Sequence, residues 1–134
     1  MTATKTLNQD LDILLVVEDE PTLPVRTRLS YSGMDPVAVT MTFMAADRGV
    51  EWTFARDLLW EGMRRPIGEG DVRVQPDGDA IRLRLHSPTG MAEFVIDAFE
   101  LAAFLDETQA VVPREHEIDD VDLDQAIALL LERK

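Results

Sequence analysis

The residues able to do chemistry fall into a few groups, and each group can be held against the geometry its chemistry demands. Asp120, Asp122 and Asp124 have the one-three-five spacing that opens a calcium loop. Such a loop also needs glycine at its sixth position and a bidentate glutamate at its twelfth, where this chain carries Gln125 and Leu131. The aspartates instead suit the positive end of the helix that follows them. Gly68-Glu69-Gly70-Asp71 has the glycines of a phosphate cradle. It leads into a strand and carries two carboxylates, so a phosphate would meet repulsion without a helix dipole. Ser30, Ser32 and Ser87 are the only serines, and none sits in a nucleophile-elbow pattern. His86, next to Ser87 on an expected strand, points to the opposite face. The two histidines, His86 and His116, lack paired ligand spacing, and there is no cysteine. No catalytic residue, metal or cofactor is expected.

Two surfaces suit protein recognition better. Trp60 lies off the Leu58, Leu59, Met63 stripe, and Arg64-Arg65 follows at the helix end. Together they can form a partly exposed aromatic and basic knob of the residue types enriched at interface hot spots. Alternatively, Trp60 folds back on the sheet and the arginines favour the helix C-terminus. Further along, the expected strand register sets Arg73 opposite Arg82 with Arg84 adjacent, and only Asp71 and Glu93 are clear cross-strand partners. Like charges facing each other are mildly destabilising, which points to a site for an acidic protein segment unless the acid-rich chain neutralises the cluster itself.

These residues must be held by an elbow. The alternation of a strand ends at Phe54, and helical spacing takes over at Ala55, Leu58, Leu59 and Met63. Gly62 weakens that helix near its end, Pro66 stops it, and Gly68 with Gly70 supplies a tight turn before a strand from Asp71. Before the elbow, Leu11 to Val17 reads as a strand buried on both faces. Leu23, Val25, Thr27, Leu29 and Tyr31 share one face of the next strand. Val37, Val39, Met41 and Phe43 form the core face of a third, and Val50, Trp52 and Phe54 that of a fourth. A loop at Asp47-Arg48 with Gly49 sets Phe43 opposite Trp52 and Met41 opposite Phe54, which makes Trp52 a core residue.

After the elbow, Asp77-Gly78 signals a type I′ hairpin that pairs Val74 with Ile81 and Val72 with Leu83. Ser87-Pro88-Thr89-Gly90 closes a second hairpin with Leu85 against Ala92 and Leu83 against Phe94. Asp97 and Glu100 resemble a capping box for a helix with Leu101, Phe104, Leu105 and Thr108 on one face. Pro113 ends it. A last amphipathic helix carries Leu123, Ile127, Leu130 and Leu131.

At 134 residues a single domain with one core is expected over 1–134. The net charge is −13, and ten of those charges lie in residues 1–20 and 106–134. A field of that sign repels phosphate backbones and anionic membranes, so neither nucleic acid nor a bilayer is an expected partner. Apolar runs far shorter than the ~20 residues of a membrane span, and the lack of a signal core at Met1 to Lys5, lead to a cytoplasmic expectation.

One block has a family resemblance. Phe54-x-Arg56-Asp57-Leu58-Leu59-x-x-Gly62, then Arg65-Pro66-x-Gly68-x-Gly70-Asp71-Val72-Arg73-Val74-x-Pro76, resembles the signature of the SsgA-like cell-division proteins of sporulating actinomycetes, most like the SsgB branch. Leu14-Val16-Val17, Leu23-Pro24-Val25, Asp35-Pro36-x-Ala38-Val39, Val50-x-Trp52 and Ser87-Pro88-x-Gly90 agree in order, so the resemblance spans nearly the whole chain. Ser32-Gly33-Met34 and the acidic tail depart from the pattern. The fold class read from the residues is α+β: two antiparallel sheets joined by a short helix, with C-terminal helices. The resemblance implies a Whirly-like arrangement and a homotrimer. It also implies a non-enzymatic regulator that positions FtsZ at septa during sporulation, with FtsZ and other SsgA-like proteins as partners and the septum as destination. A single-stranded nucleic-acid-binding regulator, as in Whirly relatives, is the competing reading, and a small-ligand sensor between the sheets is a third.

Overall fold

The structure, a computed structural model, describes residues 5–18, 21–45 and 48–113. Asp120, Asp122, Asp124, His116 and the expected last helix lie outside them. Four strands come first: β1 (Thr6–Leu15), β2 (Leu23–Ser32), β3 (Asp35–Ala45) and β4 (Arg48–Ala55). Helix α1 (Arg56–Gly62) follows without a break. A second meander holds β5 (Ile67–Glu69), β6 (Val72–Asp77), β7 (Ala80–Ser87) and β8 (Gly90–Asp97), and α2 (Ala98–Val111) comes after it. The α+β class holds, with β5 as a short strand that the sequence reading leaves within a turn.

The backbone ladder corrects the expectation of two sheets. It runs continuously in the order β4-β3-β2-β1-β8-β7-β6-β5. The join is narrow: β1 and β8 share two residue pairs, Leu14 with Val95 and Leu15 with Phe94, and the Val16 N–H donates to the Glu93 carbonyl at 2.9 Å. Residue alternation reports which face is buried, and that face is the same in either arrangement. Phe43 on β3 stacks on Phe94 on β8, with ring centroids 4.6 Å apart and planes 14° from parallel. Since β1 and β2 lie between these strands in the ladder, the sheet must curl until its halves face each other.

Register errors follow one rule. β3 and β4 pair Phe43 with Val50, Met41 with Trp52 and Val39 with Phe54. β6 and β7 pair Val74 with Leu83 and Val72 with Leu85, so the turn centres on Gly78-Asp79 in place of Asp77-Gly78. Both hairpins are displaced by two residues from the sequence reading. A slip of one would turn every side chain over, whereas a slip of two keeps each on its own face, so burial cannot reveal it. The β7–β8 hairpin has the expected register, Leu85 with Ala92 and Leu83 with Phe94.

Other corrections are local. Leu14 is 39% exposed, so β1 buries one face through Leu11 and Ile13. On β3 the pairing with β2 shifts between Ser30 and Ser32, Pro36 is buried, and Val37 is only half-buried. The Tyr31 hydroxyl holds this irregular stretch by donating to the Pro36 carbonyl at 3.0 Å. Helix α2 forms as its pattern demands. The Asp97 carboxylate accepts from the Glu100 N–H at 3.0 Å, and Leu101, Phe104, Leu105 and Thr108 are the buried face. Each large apolar residue buried there is worth about 1.5–3 kcal/mol.

Candidate protein-docking surfaces

The elbow is fixed by an arginine that sequence reasoning passed over. Arg56, the first residue of α1, is fully buried. Its Nη1 donates to the carbonyls of Thr108 at 3.1 Å and Val112 at 2.7 Å, and lies 3.3 Å from the Thr108 hydroxyl. Its Cζ stands 5.1 Å from the centre of the Tyr31 ring. A cation thus meets the carbonyls that end α2, where the helix dipole favours positive charge, and an aromatic face adds to it. The signal was present: Arg56 precedes Leu59 by three residues, on the buried stripe.

At the other end of α1, Gly62 is buried, and a Cβ there would collide with the Val74 side chain on β6. Gly62 therefore lets the helix end lie directly on the sheet. This packing decides where the aromatic and basic knob goes. Trp60 is half-buried against the core and, with Met63, Arg64, Ala102, Leu105 and Asp106, lines a cleft of about 290 Å³ between α1 and α2. Trp60 thus folds back, while Arg64 and Arg65 remain exposed. Arg65 makes a 3.4 Å ion pair with Glu61 one turn earlier. Such an exposed pair is worth a few tenths of a kcal/mol, leaving the guanidinium available.

The second predicted cluster is rearranged by the true register. Arg73 faces Arg84, and Arg82 faces Gln75, so the expected Arg73–Arg82 opposition is corrected. Arg82 pairs with Asp77 and, at 2.8 Å, with Glu93; Arg84 takes the other Glu93 oxygen. Chiefly through its hydrogen bond to Asp77, Arg82 is held above the ordinary guanidinium value. Arg82 is therefore neutralised by the chain itself. Arg73 is not: its Nη1 donates to the carbonyls of Gly70 and Val72, each at 3.0 Å.

A third place was invisible in the sequence. The Phe43–Phe94 stack lies in an apolar cleft of about 460 Å³, with Val50 and Trp52 contributed by β4 and Leu85 and Met91 by the β7–β8 hairpin. Trp52 is half-buried here and stacks on Phe54 at 6.3 Å, so the expected Phe43–Trp52 pair is replaced by two separate stacks. Among the described residues no group of three or more His, Cys, Asp or Glu side chains could hold a metal.

Comparison with known proteins matches most of this chain. Residues 25–117 match the family described as Streptomyces sporulation and cell division protein, SsgA. The sporulation-specific cell division protein SsgB of Streptomyces coelicolor is 44% identical over 131 residues, covering 94% of this chain and 96% of that protein. SsgB of Kineococcus radiotolerans is 42% identical over 128 residues, covering 91% and 78%. Among solved structures, an SsgA-like sporulation-specific cell division protein from Thermobifida fusca superposes with a TM-score of 0.85 at 37% identity, covering 96% of this chain and 97% of that one. An SsgB studied for mutations that correlate to longitudinal cell division during sporulation of Streptomyces coelicolor gives 0.82 at 43% identity, covering 87% and 96%. The elbow signature, the curled sheet with its two helices and these likenesses lead to one conclusion: the chain belongs to the SsgA-like family of sporulation-specific cell-division proteins and is similar to its SsgB branch.

Proposed function

We propose that the chain is a non-enzymatic cell-division regulator that helps position FtsZ at future septa during sporulation. The supporting observation is its 44% identity over nearly the full length of a sporulation-specific cell division protein. It acts from the cytoplasm by docking other proteins, FtsZ and further SsgA-like proteins among them, and gathers at the septum through them. The docking surfaces are the Arg64-Arg65 end of α1 and the face around Arg73 and Arg84. A Whirly-like homotrimer multiplies these contacts, because linked weak sites bind with avidity. No helix among the described residues is long and apolar enough to cross a membrane, so attachment to the division machinery through proteins suits the chain.

The test is a titration of the purified chain against FtsZ and, separately, against single-stranded DNA at ~150 mM salt, where charge-driven DNA binding is weakened. Saturable FtsZ binding is expected from the family likeness, and no DNA response from a net charge of −13. DNA binding with no FtsZ response would reverse the reading.

A further inference from the structure

Arg73 is held as a binding group is held. Its side chain lies across Gly68 on the neighbouring strand: a Cβ at Gly68 would collide with Arg73 Cδ and stand 2.6 Å from Nη1 and 2.7 Å from Nε. The absence of a side chain at Gly68 is what lets the arginine settle there. Two main-chain carbonyls then fix Nη1, and the Nε and Nη2 donors have no hydrogen-bond partner among the described residues. Nε and Nη2 are the two donors with which a guanidinium takes a carboxylate bidentately.

The surroundings add positive charge. Arg84 is directly opposite in register and spends its Nε on Glu93, a carboxylate whose second oxygen is already taken by Arg82. Arg82 and Arg84 thus take up both Asp77 and Glu93, and Arg73 has an ion pair with neither among the described residues. Arg73, Arg84 and the exposed His86 line one open cleft of about 480 Å³, with Pro66, Ile67 and Gln75. In a chain with twice as many acidic as basic residues, Arg73 faces a second arginine and has no carboxylate partner among the described residues, an arrangement that costs some repulsion.

We infer that this cleft is a carboxylate clamp for an acidic segment of a protein partner, with Arg73 as the bidentate anchor and Gly68 as the residue that positions it. A peptide is the occupant because the donors lie on exposed side chains spread over two strands, which fits several carboxylates in a row better than one enclosed small anion. The inference rests on the reading that the chain works by docking proteins.

Its test uses the full chain and a fluorescein-labelled peptide, Glu-Ala-Glu-Ala-Glu-Ala, followed by anisotropy, with succinate as the small-dicarboxylate competitor. Saturable binding that weakens with salt is expected, with Arg73→Gln lowering affinity about tenfold or more through loss of a charge-assisted bidentate pair. Gly68→Ala keeps every charge and displaces Arg73, so it should also lower affinity several-fold, while Arg48→Gln, at a residue that does not line this cleft, leaves it unchanged. Failure of the full chain to bind, equal binding by Arg73→Gln, or succinate competing as well as unlabelled peptide would each overturn the inference. Peptide binding without FtsZ binding leaves the clamp standing and removes the FtsZ reading; FtsZ binding without peptide binding does the reverse.

Discussion

Arg56 and Arg73 belong to one signature block and are put to opposite uses. The first is sealed between α1, α2 and Tyr31, with Nη1 donating to the Val112 carbonyl and sharing the Thr108 carbonyl with the Val112 N–H. The second lies on the outer face with its Nε and Nη2 donors unspent among the described residues. The difference is where each falls on its element. Arg56 begins a helix on the side that packs, whereas Arg73 occupies the strand face turned away from Val72 and Val74. An identical residue type is sealed inside in one place and left open to solvent in the other, and its position on the element decides which.

The comparison can be broken most sharply at Arg56. Arg56→Met keeps most of the volume but takes the guanidinium donor from the Val112 carbonyl, while Thr108 keeps its bond from the Val112 N–H; a buried acceptor left unpaired costs about 1–3 kcal/mol. Urea unfolding should show a loss of about 1–3 kcal/mol; a loss under about 0.5 kcal/mol would mean that Arg56 does not hold α1 to α2. Gly62→Ala comes next. The new methyl meets Val74, and overpacking of this kind costs about 1–3 kcal/mol, read as a lower unfolding midpoint.

Arg73→Gln sharpens the contrast from the other side, since an exposed substitution should leave stability within about 0.5 kcal/mol while peptide affinity falls. The smallest effect belongs to the opposite half of the sheet, where charges are matched one to one. There Asp10 pairs with Arg28 at 2.8 Å and Asp12 with Arg26 at 3.8 Å, each directly opposite in register. The hydrogen bond from Arg28 holds the Asp10 carboxyl below its ordinary value. A carboxyl with a depressed folded value stabilises fully above its unfolded value of about 3.9 and loses that contribution as pH falls through the folded one. Asp10→Asn should therefore match the parent in acid and differ slightly at neutral pH, as acid titration of the unfolding midpoint would show.

Much of this was legible because short-range rules govern it. The face of α2, its Asp97 cap and the Ser87–Gly90 hairpin depend on spacing within a few residues, and all three are found where the residues put them. The two slipped hairpins were illegible because parity is blind to a displacement of two. The Phe43–Phe94 cleft was illegible for a different reason: its walls come from strands whose approach depends on the curl of the whole sheet. Arg56 was overlooked because an arginine is read as a surface residue, although its place on the Leu59 stripe argued otherwise. The Arg73 cluster was half legible. Its surplus charge could be counted, but which arginine kept it depended on a register that the sequence left two residues in error.

The two-rung meeting of β1 and β8 has a mechanical consequence. The main-chain ladder is thinnest where Leu14 and Leu15 meet Val95 and Phe94, so there the halves are held together more by side-chain packing than by backbone hydrogen bonds. Phe94 is itself one of those rungs and also half of the ring stack inside the apolar cleft. Phe94 thus joins the seam between the two halves to the ring contact that lines the cleft.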